Sequence, residues 1–163
     1  MTLRELLIGR SLRRSLIRGG IMAALLFAGS RFILVPVRAH GISMVPTYGE
    51  NQLLFANRLA YRFGRPVHRG DVVAITLPGA QAVLVKRVIG LPGERVRIEE
   101  GQVLVNDQPL DEPYCVYRLP WNVQETLLGP DEIFVVGDNR SMLEKHHTFG
   151  RAPESRILGR MMN

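Results

Sequence analysis

The pattern of apolar positions changes character once along the chain. Up to residue 37 they form one block: the uncharged run 19–30, then Arg31, then residues 32–37. From residue 52 onward they recur in short alternating runs punctuated by glycine and proline. Runs at 52–56, 71–76, 82–91, 94–99, 102–105 and 131–136 predict strands. The clearest hairpin covers 95–105, where Val96 and Ile98 face one way and Val103 and Val105 answer them across a turn at Glu100-Gly101. Past residue 40 no stretch holds a long 3.6-residue period, and residues 58–63 supply a helical turn or two at most. A mostly β, antiparallel body is expected, with residues 114–130 as a longer loop. That loop carries the only tryptophan, Trp121, beside Leu119, Leu127 and Leu128. These residues either cover a core edge or rest on a bilayer surface.

The uncharged run before Arg31 is 12 residues, short of the roughly 20 that a helix needs to cross a hydrocarbon core. Residues 19–37 make 19 positions broken by one arginine, and an arginine near a helix end reaches the interface by snorkelling. A single transmembrane helix within a tail at 1–38 is therefore expected, with a removed signal peptide as the other reading of the same pattern. Charge sharpens the picture. The formal net charge of +6 over 163 residues would suit a nucleic-acid partner. However, residues 1–40 hold seven arginines and one acid, while the remaining 123 residues balance 14 bases with 14 acids. The basicity orients a membrane segment, keeping the N-terminus cytoplasmic and residues 39–163 on the extracytoplasmic side of the cell membrane. No nucleic-acid partner is expected of a neutral body. The lone Cys115 closes no intramolecular disulfide, and adjacent His146-His147 completes no metal site.

The body contains only two lysines, Lys86 and Lys145, against twelve arginines. Lys86 sits in the most apolar run, with Leu84 and Val88 on its own face and Val83, Val85, Arg87 and Ile89 on the other. Burial there disfavours the ammonium and lowers its pKa, which makes a neutral amine available as a general base. Taken alone, such a lysine also fits snorkelling or a buried ion pair. A serine is a weak nucleophile without a base to take its proton, and Ser43 lies between Gly41 and Pro46. Gly137-Asp138-Asn139-Arg140 follows an apolar strand and reads by itself as a turn.

Together and in this order, Ser43-Met44-Val45-Pro46-Thr47, residues 86–93 (Lys-Arg-Val-Ile-Gly-Leu-Pro-Gly) and Gly137-Asp138-Asn139-Arg140 resemble the successive boxes of the type I signal peptidase family. Segments 69–73 and 103–107 resemble its connecting regions, so the similarity runs from about residue 32 to residue 160. The resemblance implies a barrel-like antiparallel β peptidase domain over 39–163 and a serine-lysine dyad, with Ser43 as nucleophile and Lys86 as general base. It further implies an oxyanion held by backbone donors including the Ser43 N–H, with Gly41 and Met44 beside the substrate. Gly41 stands where some members carry a hydroxyl. The implied partners are the lipid bilayer and signal peptides of exported preproteins, bound extended along a β edge with small residues at the first and third positions before the cut. No metal or other cofactor is implied.

One box departs from the family. After the Gly-Asp-Asn-Arg turn the spacing to Phe149-Gly150 is kept, but Leu143 replaces a serine that would contact the lysine. Lys145, His146 and His147 occupy an Asp-Ser-Arg run, so the usual carboxylate-guanidinium pair is missing. Ser141 or Thr148 then stands in sterically, or Asp138 or Glu144 pairs with Lys145. Two further readings accompany the main one. The first is a specialised peptidase of the same family, acting on a pilin or an organelle inner-membrane substrate. The second is a membrane-tethered β domain that binds exported peptides without cutting them.

Overall fold

The computed structural model describes residues 12–77 and 83–162; Arg4, Arg10 and Ala82, which enter the readings above, lie outside them. The chain divides into two units, Met1–Leu34 and Val35–Asn163. In the first, helix α1 spans Leu12–Ile33 and follows the apolar block. Its 22 residues would reach about 33 Å at the usual rise. Arg13, Arg14, Arg18 and Arg31 lie within it, however, and its uncharged centre stays at 12 residues. Among the described residues no helix is long and apolar enough to cross a membrane.

The second unit is built from strands β1 (Leu34–Arg38), β2 (Leu53–Asn57), β3 (Val72–Thr76), β4 (Val83–Gly90), β5 (Arg95–Glu99), β6 (Gln102–Val105), β7 (Gln108–Pro109), β8 (Val123–Leu127), β9 (Glu132–Val136), β10 (Gly150–Pro153) and β11 (Ile157–Met161). They form a seven-stranded sheet, β1-β2-β11-β3-β4-β9-β10, and a four-stranded sheet, β7-β6-β5-β8. The expected antiparallel body is therefore realised as two sheets. In the β5–β6 hairpin Val96 pairs with Val105 and Ile98 with Val103. Its turn residues Glu100 and Gly101 both take positive φ, the geometry that matches the twist of a tight hairpin.

Several elements differ from the sequence expectation. The end of the apolar block folds as β1, and the expected 114–130 loop contains β8, which pairs with β5. The sequence of β8, Val-Gln-Glu-Thr-Leu, is more polar than apolar and half exposed, as suits an edge strand. The C-terminal run Ile-Leu-Gly-Arg-Met forms β11 between β2 and β3, a central position that its weak alternation does not announce. Trp121 is 3% exposed and packs with Ile89, Val96, Ile98 and Phe134, so it belongs to the core; Leu127 is exposed.

The strand order explains why β4 is so apolar. Flanked by β3 and β9, it buries Val85 and Met44 on one face of the sheet, and Val88 with Val73 and Val135 on the other. At its end the two sheets meet at Gly90. A Cβ there would lie 2.5 Å from Val96 Cγ2 and 2.8 Å from Leu128 Cδ1, so only glycine permits the approach.

Candidate active site

Ser43 lies in the turn between β1 and β2. Gly41 enters it with φ +80°, a conformation that costs glycine nothing. The Met44 side chain is buried in the core with Tyr48 and Ala56, and the Tyr48 N–H donates to the Met44 carbonyl at 2.9 Å. The turn is thus anchored immediately after the serine. Among the described residues the Ser43 N–H meets no protein acceptor, which leaves it available to an incoming oxyanion.

Lys86 projects from the middle of β4, opposite Val73 of β3, and is 2% exposed. Its Nζ donates to Ser43 Oγ at 2.8 Å. Burial lowers the amine from 10.5 to about 8, partly offset by the Asp138 carboxylate. Desolvation is the dominant cause because no acid contacts the amine directly.

The Gly137–Arg140 turn, directly after β9, stitches these pieces together. Asn139 donates its N–H to the Ser43 carbonyl at 3.0 Å and its Nδ2 to the Ile42 carbonyl at 3.0 Å. Asp138, 1% exposed, receives Arg87 in two bonds: Nε to Oδ1 at 2.8 Å and Nη2 to Oδ2 at 2.6 Å. It also accepts the Thr47 hydroxyl. Arg87 lies 4.0 Å over the Tyr114 ring and reaches the Gly70 carbonyl at 2.8 Å. Arg140, 1% exposed, pairs with buried Glu112 and donates to the Gly137 carbonyl at 2.9 Å.

The residues singled out from sequence therefore converge, with Gly41 and Met44 flanking Ser43 and Gly137, Asp138, Asn139 and Arg140 beneath it. The ion pairs with Lys145 raised for the altered box are not what the fold uses. Asp138 is taken by Arg87, and Lys145 forms no ion pair among the described residues. Ser141 gives its hydroxyl to Asn139 Oδ1 at 2.6 Å. Thr148 lines a cavity of about 160 Å³ shared with Lys86, Leu84 and Phe149.

Sequence reasoning gave no role to three residues now seen at the site. Arg87 carried a signal in its place beside Lys86, on the opposite face of the same strand. Glu112 carried none. His147 is 6% exposed, and its Nε2 accepts the Gly137 N–H at 2.9 Å. Burial, then the charges of Lys86 and Arg140, lower its imidazole to about 3.

A groove of about 500 Å³ lies beside β1 and the start of β4. Its walls are β1 (Val35 to Arg38) with His40 on one side, and Val83, Leu84 and Leu158 on the other. An extended apolar segment laid there would run between two strand edges whose chains continue to Ser43 and Lys86.

Comparison with known proteins gives a consistent set of similarities. Residues 12–163 match the family model described as signal peptidase, peptidase S26. The chain is 35% identical over 126 residues to signal peptidase I of Leptolyngbya laminosa, covering 72% of this chain and 62% of that protein. It is 31% identical over 141 residues to signal peptidase I V of Bacillus subtilis (strain 168), covering 78% and 83% respectively. The chain thus spans about three fifths of the Leptolyngbya relative and more of the Bacillus one. Its fold is similar to the crystal structure of a signal peptidase I from Enterococcus faecalis V583, with a TM-score of 0.50 and 24% identity over 60% of this chain and 98% of that one.

Proposed function

The chain belongs to the signal peptidase family, peptidase S26, and from that premise we propose that it is a serine endopeptidase removing N-terminal signal peptides from exported preproteins. The observation that carries the reading is the buried Lys86 amine 2.8 Å from Ser43 Oγ. When neutral, Nζ accepts the Ser43 proton as Oγ attacks the scissile carbonyl, then passes it to the leaving amine. Neutral again, Lys86 Nζ next takes a proton from the water that releases the acyl group from Ser43. Negative charge on the tetrahedral oxygen falls to the Ser43 N–H, a fixed donor that needs no reorganisation. Gly41 leaves room for the substrate backbone, and Met44 holds the turn from below. The Gly137, Asp138, Asn139 and Arg140 turn serves as the frame of the site.

The substrate in this reading is extended and lies in the β1–β4 groove, where apolar walls suit the small residues before the cut. The membrane-associating tail in this reading ends with α1, and the peptidase body begins with β1, a few residues ahead of the boundary expected at 38/39. Exposed Ile21, Leu25 and Leu26 on α1 support a bilayer partner for the tail. The arginines of the tail orient it with the N-terminus cytoplasmic, as a single pass that leaves the body extracytoplasmic. Retention of the full chain in membranes after carbonate extraction is expected, and release into the supernatant would contradict that placement. Cleavage of a preprotein by the wild type, and its loss in both Ser43→Ala and Lys86→Ala, tests the chemistry. Persisting cleavage in either variant sinks the dyad, and a wild type that binds signal peptide without cutting it selects the peptide-binding reading instead.

A further inference from the structure

We propose that His147 is a positioning residue for the Ser43–Lys86 pair: its neutral ring accepts the Gly137 N–H and so fixes the corner from which Ser43 is held, taking the place of the missing carboxylate-guanidinium pair. The inference rests on the dyad reading above. Its observations meet at one point. A Cβ built on Gly137 would fall 2.2 Å from the Ser43 carbonyl oxygen and 2.6 Å from His147 Nε2. Ring, glycine and nucleophile backbone are therefore packed against one another, and the Asn139 N–H closes the link to the same Ser43 carbonyl.

The ring is itself held on several sides. Trp121 meets it edge-on at 5.0 Å, and Phe149 lies at 6.1 Å. The turn Glu144–His146 ends with the His147 N–H donating to the Glu144 carbonyl at 2.9 Å. Because Nε2 accepts, the ring proton sits on Nδ1, which is buried without a partner. The charged groups facing the ring are Lys86 from β4 and Arg140 from the turn after β9. Arg140 is neutralised by Glu112, and nearby Asp138 by Arg87. An arginine at 147 would supply no acceptor to Gly137. With Lys145 where the family has an acid, it would also stand as an uncompensated cation beside Lys86. The changes at 145 and 147 are thus matched: acid and guanidinium are lost together, and a neutral acceptor replaces them.

Two measurements on the full chain in detergent test this. In ¹⁵N-histidine spectra, with the resonance assigned by its absence in His147→Gln, the ring should stay neutral with Nδ1 protonated from about pH 5 to about pH 9. Titration near the ordinary histidine value, or a proton on Nε2, overturns the proposal. The second measurement is kcat/KM against pH for cleavage of a signal-peptide substrate. His147→Leu fills similar space but leaves a buried N–H unpaired, so kcat should fall about 10- to 100-fold with little change in KM. His147→Gln, whose Oε1 can accept the same N–H, should stay within about fivefold of wild type.

His147→Arg should move the rising limb set by Lys86 to lower pH as well as reducing kcat, because a cation near Lys86 disfavours its protonated form. Adding Lys145→Asp should return the limb towards its original position. Equal kcat and equal limbs in the Gln, Leu and Arg variants would mean that the ring only fills space. A wild type that cuts nothing would instead defeat the peptidase reading, while the imidazole spectrum would still decide whether His147 accepts from Gly137.

Discussion

The Lys86 amine offers the sharpest quantitative consequence of the fold. At pH 7 a lysine titrating at about 8 is neutral in about one molecule in ten, against about one in 3,000 for a solvated lysine. Burial therefore raises the population of competent base about 300-fold. In a peptide-cleavage assay kcat/KM should climb about tenfold per pH unit below 8 and level off above it. The same burial carries a stability cost whose sign is fixed. The unfolded chain keeps the lysine proton up to about 10.5 while the folded chain releases it near 8. Between these values the unfolded state binds more protons, so stability rises with pH across that window. The 2.5-unit gap corresponds to about 3 kcal/mol, withheld in full below pH 8 and recovered as pH passes 10.5. Lys86→Met removes that penalty and also the hydrogen bond to Ser43, worth about 1 kcal/mol. The inactive variant should therefore be more stable than wild type at pH 7 by about 2 kcal/mol, raising Tm by roughly 5–10 °C. Its thermal unfolding should lose the rise between pH 8 and 10.5. A rising limb that levels off only near 10.5, or a Lys86→Met protein that melts below wild type at pH 7 and keeps the same pH slope, would refute the reasoning.

Asp138→Asn leaves the Arg87 guanidinium buried without its counter-charge. It should cost about 3–5 kcal/mol in chemical denaturation, and an effect below about 1 kcal/mol would mean that water reaches the pair. Gly137→Ala places a methyl 2.2 Å from the Ser43 carbonyl. The nucleophile turn must then shift, and kcat should fall about 100-fold or more while far-UV circular dichroism stays native; an active Gly137→Ala enzyme would show that the turn yields freely.

The parts of this fold that were legible in the sequence are those with local causes. The β5–β6 hairpin was visible because period-2 alternation and a Glu-Gly turn coincide within eleven residues. The Ser43 and Lys86 assignments came from short boxes whose order resembles a known family, and from the rarity of lysine in an arginine-rich body. The failures have non-local causes. Strand β8 is recognisable only through the β5 edge it covers, and β11 only through the gap between β2 and β3 that it fills. Trp121 could not be placed from its neighbours in sequence, because its burial depends on Phe149 and Phe134 and on the Met142 carbonyl that accepts its Nε1 proton at 3.0 Å. His147 looked idle since its partner is a backbone N–H ten residues away, a contact that leaves no trace in composition or spacing.

The adjacent pair Lys86-Arg87 shows how a two-residue period divides labour between opposite faces of one strand. Both side chains are cationic and both are largely buried, yet only one of them is paired. Arg87 takes both oxygens of Asp138, the carboxylate that acts on Lys86 at longer range. Were Asp138 free to turn to the amine, a direct ion pair would hold Lys86 protonated and remove the base. The guanidinium keeps the acid occupied in a planar two-bond geometry that a lysine could not reproduce. Arg87→Lys should therefore raise the limb of the pH–rate profile above its wild-type position even in protein that folds normally. An unchanged limb in that variant would show that Asp138 is held away from the amine by Thr47 and the turn backbone alone.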